Sequence, residues 1–199
     1  DGPLSARLIS GGRSNLTYEL TDGSHRLVLR RPPLGHVLAT AHDMAREHRV
    51  LTALAGTAVP VPRTHHLCED PDVIGAPFYL MDLVEGTPYR TVEQLLPLGP
   101  ERARSISERM IDTLAALHAV DPDAVGLGDF GRPEGFLGRQ VRRWTTQLEN
   151  ARSRDLPEAD ELHRLLVARL PRDGAAGIVH GDFRLDNLLA AIRLGNHGG

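Results

Sequence analysis

The hydrophobic pattern of this chain is mostly strand-like before residue 85 and helical from Pro100 onward, and that change restricts the fold more than any other feature. Leu4, Ala6 and Leu8 alternate with more polar neighbours, as do Leu16, Tyr18 and Leu20, and the run Leu27-Val28-Leu29 follows the turn signal Asp22-Gly23. Alternation with a period of two is the signature of a half-buried strand. This stretch therefore predicts a meander of antiparallel strands, stopped by Pro32-Pro33. One helix should follow. Thr40 and Asp43 have capping-box spacing, Met44, Val50, Leu51 and Leu54 share a face, and Gly56 lies just past the end. Val59-Pro60-Val61-Pro62 reads as extended, and Pro77 to Val84 as a buried strand. From Pro100 onward the period is helical. Ile106, Met110, Leu114 and Leu117 recur on one face, and amphipathic stretches follow near Gln140–Ala151 and Glu158–Leu170.

Segregated strands and helices predict an α+β fold with a β-rich lobe over 1–84 and a helical lobe over 85–199. A ligand site is expected between two such lobes. The 199 residues, 41% of them hydrophobic, suffice for one sizeable core or two small lobes. A net charge of −3 argues against a generic nucleic-acid binder, because there is no basic excess to neutralise phosphates. All 23 basic residues are arginine. Without lysine there is no Schiff-base chemistry and no Gly-Lys-Ser/Thr phosphate loop, so any phosphate-anchoring role passes to arginine. The one cysteine, Cys68, can form neither an internal disulfide nor a thiolate cluster, and His65-His66 beside it are too few for a metal site. No apolar run approaches the ~18 residues of a membrane span, and Asp1-Gly2-Pro3 does not open a signal peptide. A cytoplasmic location is expected. Trp144, on an amphipathic stretch, is expected in the core.

The chemistry-bearing stretch is Ile178-Val179-His180-Gly181-Asp182-Phe183-Arg184-Leu185-Asp186-Asn187-Leu188-Leu189. It contains His-x-Asp-x4-Asn, the spacing of a phosphotransfer catalytic loop. Such chemistry needs a carboxylate to accept the proton of an attacking hydroxyl. It also needs an amide oxygen one short loop away to hold magnesium against the nucleotide phosphates. Ile178-Val179 and Leu188-Leu189 are expected as short strands flanking the loop, with His180 orienting it. Upstream, Gly11-Gly12-Arg13-Ser14-Asn15 lies between two expected strands, where backbone amides suit phosphates. Arg30 ends the third strand, and Glu47 on the following helix is placed to pair with it.

In this ordered set the chain resembles the aminoglycoside phosphotransferase family of protein-kinase-like enzymes. The nearest likeness is to the branch whose kinase-like domain is fused, in some animals, to acyl-CoA dehydrogenases. The residues that carry the resemblance include Gly11 to Tyr18, Leu29 to Pro33, Arg46-Glu47, Val59 to Pro62, Leu67 to Asp70, Ile74 to Met81, Gln140 to Trp144 and His180 to Leu189. It extends over nearly the whole chain to about Leu189. The resemblance implies a two-lobed kinase-like fold and transfer of a phosphoryl group from ATP, with Mg2+, to a hydroxyl of a small molecule such as a hydroxyacyl thioester. It implies Asp182 as catalytic base and Asn187 as magnesium ligand. It further implies Gly12, Ser14, Asn15, Arg30 and Glu47 as nucleotide-binding residues, with Met81, Asp82 and Leu83 as the hinge against the adenine.

One departure stands out. Family members follow the catalytic loop with a strand ending in a metal-binding Asp, whereas Asp186 is the last acidic residue here. The helical lobe is therefore expected to be incomplete or altered after about 189. The alternative reading is a nucleotide-binding module without catalysis, or a fragment of a longer kinase-like protein.

Overall fold

In a computed structural model of the chain, residues 2–9, 15–33, 43–172 and 174–191 are described. Five strands, β1 (Ser5–Leu8), β2 (Leu16–Thr21), β3 (Arg26–Arg31), β4 (Thr64–Cys68) and β5 (Phe78–Asp82), form one antiparallel sheet in the order β1-β2-β3-β5-β4. The first three strands are the expected meander. Their second turn is built as its sequence requires: Gly23 takes φ +92°, and Asp22 Oδ1 accepts from the backbone N–H groups of Ser24 and His25 at 2.9 and 2.7 Å. β4 was not legible as a strand. Its pairing with β5 shifts register between Thr64 and His66, which breaks the simple alternation.

Helix α1 (Met44–Leu54) starts at Asp43, whose carboxylate accepts from the Arg46 N–H at 2.8 Å. Thr40, the other half of the expected capping box, lies outside the described residues. The helix packs on β4 and β5, and Met44 and Leu54 are buried with Val28, Phe78 and Tyr79. After β5 come a short α2 (Val92–Leu95), a 3-10 turn (Leu96–Leu98) and α3 (Gly99–His118), with Pro100 in its first turn.

By compactness the chain forms two units, one of Asp1–Val120 with Val179–Gly199 and one of Asp121–Ile178. The first holds the sheet, α1 to α3 and the His180–Asn187 loop. Thr87, in the connector after β5, exchanges both backbone hydrogen bonds with Ala190 at 3.1 Å. The approach is so close that a Cβ on Gly86 would meet Leu189 Cβ at 2.9 Å. The strands expected at Ile178-Val179 and Leu188-Leu189 do not form. Leu185–Asn187 is instead a 3-10 turn, and among the described residues this segment pairs through the single bridge at Ala190.

In the second unit, α4 (Phe136–Ala151) and α5 (Pro157–Ala168) pack on each other, and neither has a fully buried residue. Trp144 is 63% exposed on α4 and is not a core residue here. Helical periodicity identifies an apolar face but not whether a partner covers it.

Candidate functional site

The register of the sheet places Thr17 of β2 opposite Arg30 of β3, and Arg30 opposite Tyr79 of β5. Residues directly opposite in neighbouring strands share a face, so these three side chains form a row across the sheet. Glu47, one turn into α1, lies against that row. Its Oε2 accepts from Arg30 Nε at 2.7 Å and from the Tyr79 hydroxyl at 3.1 Å, and its Oε1 accepts from Asn15 Nδ2 at 2.7 Å. Arg30 Nη1 donates to Thr17 Oγ1 at 3.2 Å. Two nitrogens of the guanidinium are thereby bonded. Arg30 and Glu47 thus stand together where their places on β3 and α1 put them. Asn15 and Tyr79 are 4% and 2% exposed. Burial, then the neighbouring Glu47 charge, raises the Tyr79 pKa above the usual phenol range, which keeps the hydroxyl protonated and a donor.

The expected hinge residues Met81, Asp82 and Leu83 stand at and just past the end of β5. Met81 pairs with Val28 on one side and Thr64 on the other. The Asp82 N–H donates to the Arg63 carbonyl at 2.9 Å, and its carboxylate meets His65 Nε2 at 2.6 Å. Asp82 is therefore held by its side chain to β4 and by its amide to the residue just before that strand. His65 is in an ion-pair arrangement with Asp82 across two strands. Among the described residues, no three His, Cys, Asp or Glu side chains gather as a metal site.

The loop after Val179 is organised around Asp182. Gly181 takes φ +83°, and the Asp182 N–H donates to His180 Nδ1 at 3.3 Å while His180 stacks edge-on with Phe183 at 5.3 Å. His180 therefore acts on the conformation of the loop. Asn187 Nδ2 donates to both the backbone carbonyl and Oδ2 of Asp182, each at 2.9 Å. Because the amide nitrogen faces Asp182, Asn187 Oδ1 is the oxygen left for a cation. Arg184 reaches Asp182 Oδ1 at 3.3 Å with Nε and Asp186 Oδ2 at 2.9 Å with Nη2. Sequence reasoning did not single out Arg184, although its place two residues beyond the candidate base was a usable signal. Asp186 is drawn to Arg184, which makes it a poor substitute for a dedicated metal carboxylate. A magnesium ion carried by nucleotide phosphates needs few protein oxygens, and Asn187 Oδ1 fits that limited role. Gly12 and Ser14 lie outside the described residues.

Comparison with known proteins shows the family. The model of a family described as phosphotransferase enzymes matches residues 5–198. Mouse acyl-CoA dehydrogenase family member 10 is 41% identical over 189 residues, which is 94% of this chain and 18% of that protein. Chicken acyl-CoA dehydrogenase family member 11 is 40% identical over 94% of this chain and 24% of its own length. This chain thus spans about a quarter or less of these relatives. A crystal structure of a candidate aminoglycoside phosphotransferase from Ralstonia eutropha JMP134 superposes with a TM-score of 0.81 at 40% identity, covering 95% of this chain and 55% of that one. A GDP complex of an aminoglycoside 2′-phosphotransferase-IIIa variant gives a TM-score of 0.60 at 18% identity, over 83% of this chain and 53% of that one, and shares the fold.

Proposed function

The chain belongs to the phosphotransferase enzyme family, and from that premise we propose that it binds ATP with magnesium and transfers the γ-phosphoryl group to a hydroxyl of a small molecule. The observation that carries this reading is the joined pair Asp182 and Asn187, a carboxylate and an amide fixed to each other by hydrogen bonds of 2.9 Å. In the proposed reaction Asp182 aligns the acceptor hydroxyl and takes its proton. Asn187 Oδ1 would hold the nucleotide-borne magnesium. When bound, that ion neutralises charge on the β- and γ-phosphates.

Arg30 is the phosphate anchor of this reading, with Glu47 holding it and Gly12, Ser14 and Asn15 contributing from the glycine-rich segment. The adenine lies against the hinge Met81, Asp82 and Leu83. The Asp82 amide is already bonded to Arg63, so Leu83 is the residue whose backbone we assign to the base. Residues 1–84 form the nucleotide-binding lobe and 85–199 the lobe bearing the catalytic loop. We place the protein in the cytoplasm; among the described residues no helix is long and apolar enough to cross a membrane. For the acceptor we propose a hydroxyl-bearing acyl thioester, supported by relatives whose names join them to acyl-CoA dehydrogenases.

The test is a melting curve with and without ATP and magnesium. A ligand that binds only the folded state raises the melting temperature by mass action. No rise at millimolar ATP, in a folded sample, would remove the nucleotide reading. A rise without phosphoryl transfer to any alcohol would leave a nucleotide-binding module.

A further inference from the structure

An ion pair as exposed as Arg30 and Glu47 does not hold its own geometry. Their side chains are 29% and 34% exposed. Pairs of that kind contribute little, because both side chains give up rotamer freedom to water-screened attraction. Yet Glu47 has two further donors, and both are rigid. Tyr79, the second residue of β5, is 2% exposed, with its hydroxyl 3.1 Å from Glu47 Oε2. Asn15, 4% exposed, directly precedes β2 and places Nδ2 2.7 Å from Oε1. One oxygen is thus tied to the start of β2 and the other to β5.

We infer that Asn15 and Tyr79 are positioning residues, which lock Glu47 and through it Arg30 into phosphate-binding geometry before any nucleotide arrives. The inference rests on the phosphotransferase reading of Arg30. Three donors on one carboxylate leave it no low-energy alternative rotamer. Arg30 Nε is therefore held on one side by Glu47 and Nη1 on the other by Thr17, which aims the rest of the guanidinium. Through this bond the start of β2 and α1 share one anchor. Preorganisation of this kind lowers the ordering cost of binding.

The experiment compares affinities for two probes, ATP with magnesium and adenosine, in the full chain and in Tyr79→Phe and Asn15→Asp. Tyr79→Phe deletes one hydroxyl and keeps the ring. Asn15→Asp replaces a donor by a second carboxylate facing Glu47. A positioning role weakens ATP binding by about tenfold, the order expected for a hydrogen bond to a charged group, and leaves adenosine within about twofold. Equal losses for ATP and adenosine would assign the contacts to general stability and overturn the inference. So would unchanged ATP affinity in both variants, or failure of both to fold. If the unsubstituted chain binds adenosine but gains nothing from the phosphates, the assignment of Arg30 fails, and the inference with it. If ATP binds more tightly than adenosine by the same factor in the unsubstituted chain and in both variants, the phosphate reading survives and only the positioning role of Asn15 and Tyr79 is lost.

Discussion

Asn187 donates from one amide nitrogen to two atoms of Asp182, its backbone carbonyl and its side-chain Oδ2, at 2.9 Å each. The candidate base and the candidate metal ligand are thus one mechanical unit, closed over a single 3-10 turn (Leu185–Asn187). That unit separates two effects of substitution. Asp182→Asn removes the proton acceptor while keeping the size of the side chain. In a protein that phosphorylates an alcohol it should lower turnover by about 10²-fold or more, with ATP affinity little changed. Steady-state turnover beside a binding titration checks this, and unchanged turnover would remove Asp182 from the mechanism.

Arg30→Lys should not behave as a conservative change. The guanidinium bonds Glu47 with Nε and Thr17 with Nη1, and an ammonium group cannot hold two such partners in fixed directions while presenting a third edge. ATP affinity should fall by roughly fivefold or more, as expected when about 1 kcal/mol of charged hydrogen bonding is lost. The change keeps the positive charge. Retained affinity in a calorimetric titration would mean that charge alone, and not the fork, is what the site uses.

The elements with local signals were legible in the sequence. Period-two alternation and Asp22-Gly23 located the first three strands, while Asp43, Pro100 and the helical period located the main helices. What failed depended on distant partners. Nothing within Thr64–Cys68 announces a strand, because that strand is specified by β5 beside it. Ile178-Val179 has the composition of a strand but pairs with none among the described residues. The pairing of Arg30 with Glu47 could be read from their order on β3 and α1. Tyr79 reads from sequence only as a core aromatic, since its hydroxyl acquires a task solely through the β3–β5 register.

Two carboxylates make the sheet sensitive to acid. Hydrogen bonds from Arg7 and Arg26 hold Glu19 below its ordinary 4.5, and backbone N–H groups of His25 and Ser24 hold Asp22 below its ordinary 3.8. Both pKa values are lower in the folded state than in the unfolded chain. Their stabilisation is therefore fully present above about pH 4.5 to 5 and is lost as the pH falls through the folded values. Melting temperatures measured from pH 6 to pH 3 should decline, and the decline should be shallower in Asp22→Ala, which has one such group fewer. An identical slope in that variant would show that the Asp22 turn does not contribute.

The last expectation concerns the stitch between the connector and the end of the catalytic loop. Thr87 and Ala190 exchange two backbone hydrogen bonds across a contact so close that a Cβ on Gly86 would lie 2.9 Å from Leu189 Cβ, 3.2 Å from Leu189 C and 3.3 Å from Ala190 C. None of those atoms is the free end of a flexible side chain, so Gly86→Ala must move backbone. Overpacking of this kind costs about 1 to 3 kcal/mol, and relief requires the 188–190 segment to withdraw from Thr87. Asn187 precedes that segment directly, so the strain reaches the pair it forms with Asp182. Gly86→Ala should therefore lower the melting temperature by several degrees and reduce turnover, while the affinity for adenosine stays unchanged. Gly131→Ala is the matched control, since a Cβ there meets nothing within 4 Å. It should be neutral, or slightly stabilising through the lost freedom of the unfolded chain. Equal melting temperatures for the two variants would mean that the connector and the loop end separate without cost, and that the Thr87–Ala190 bridge does not hold the catalytic loop in place.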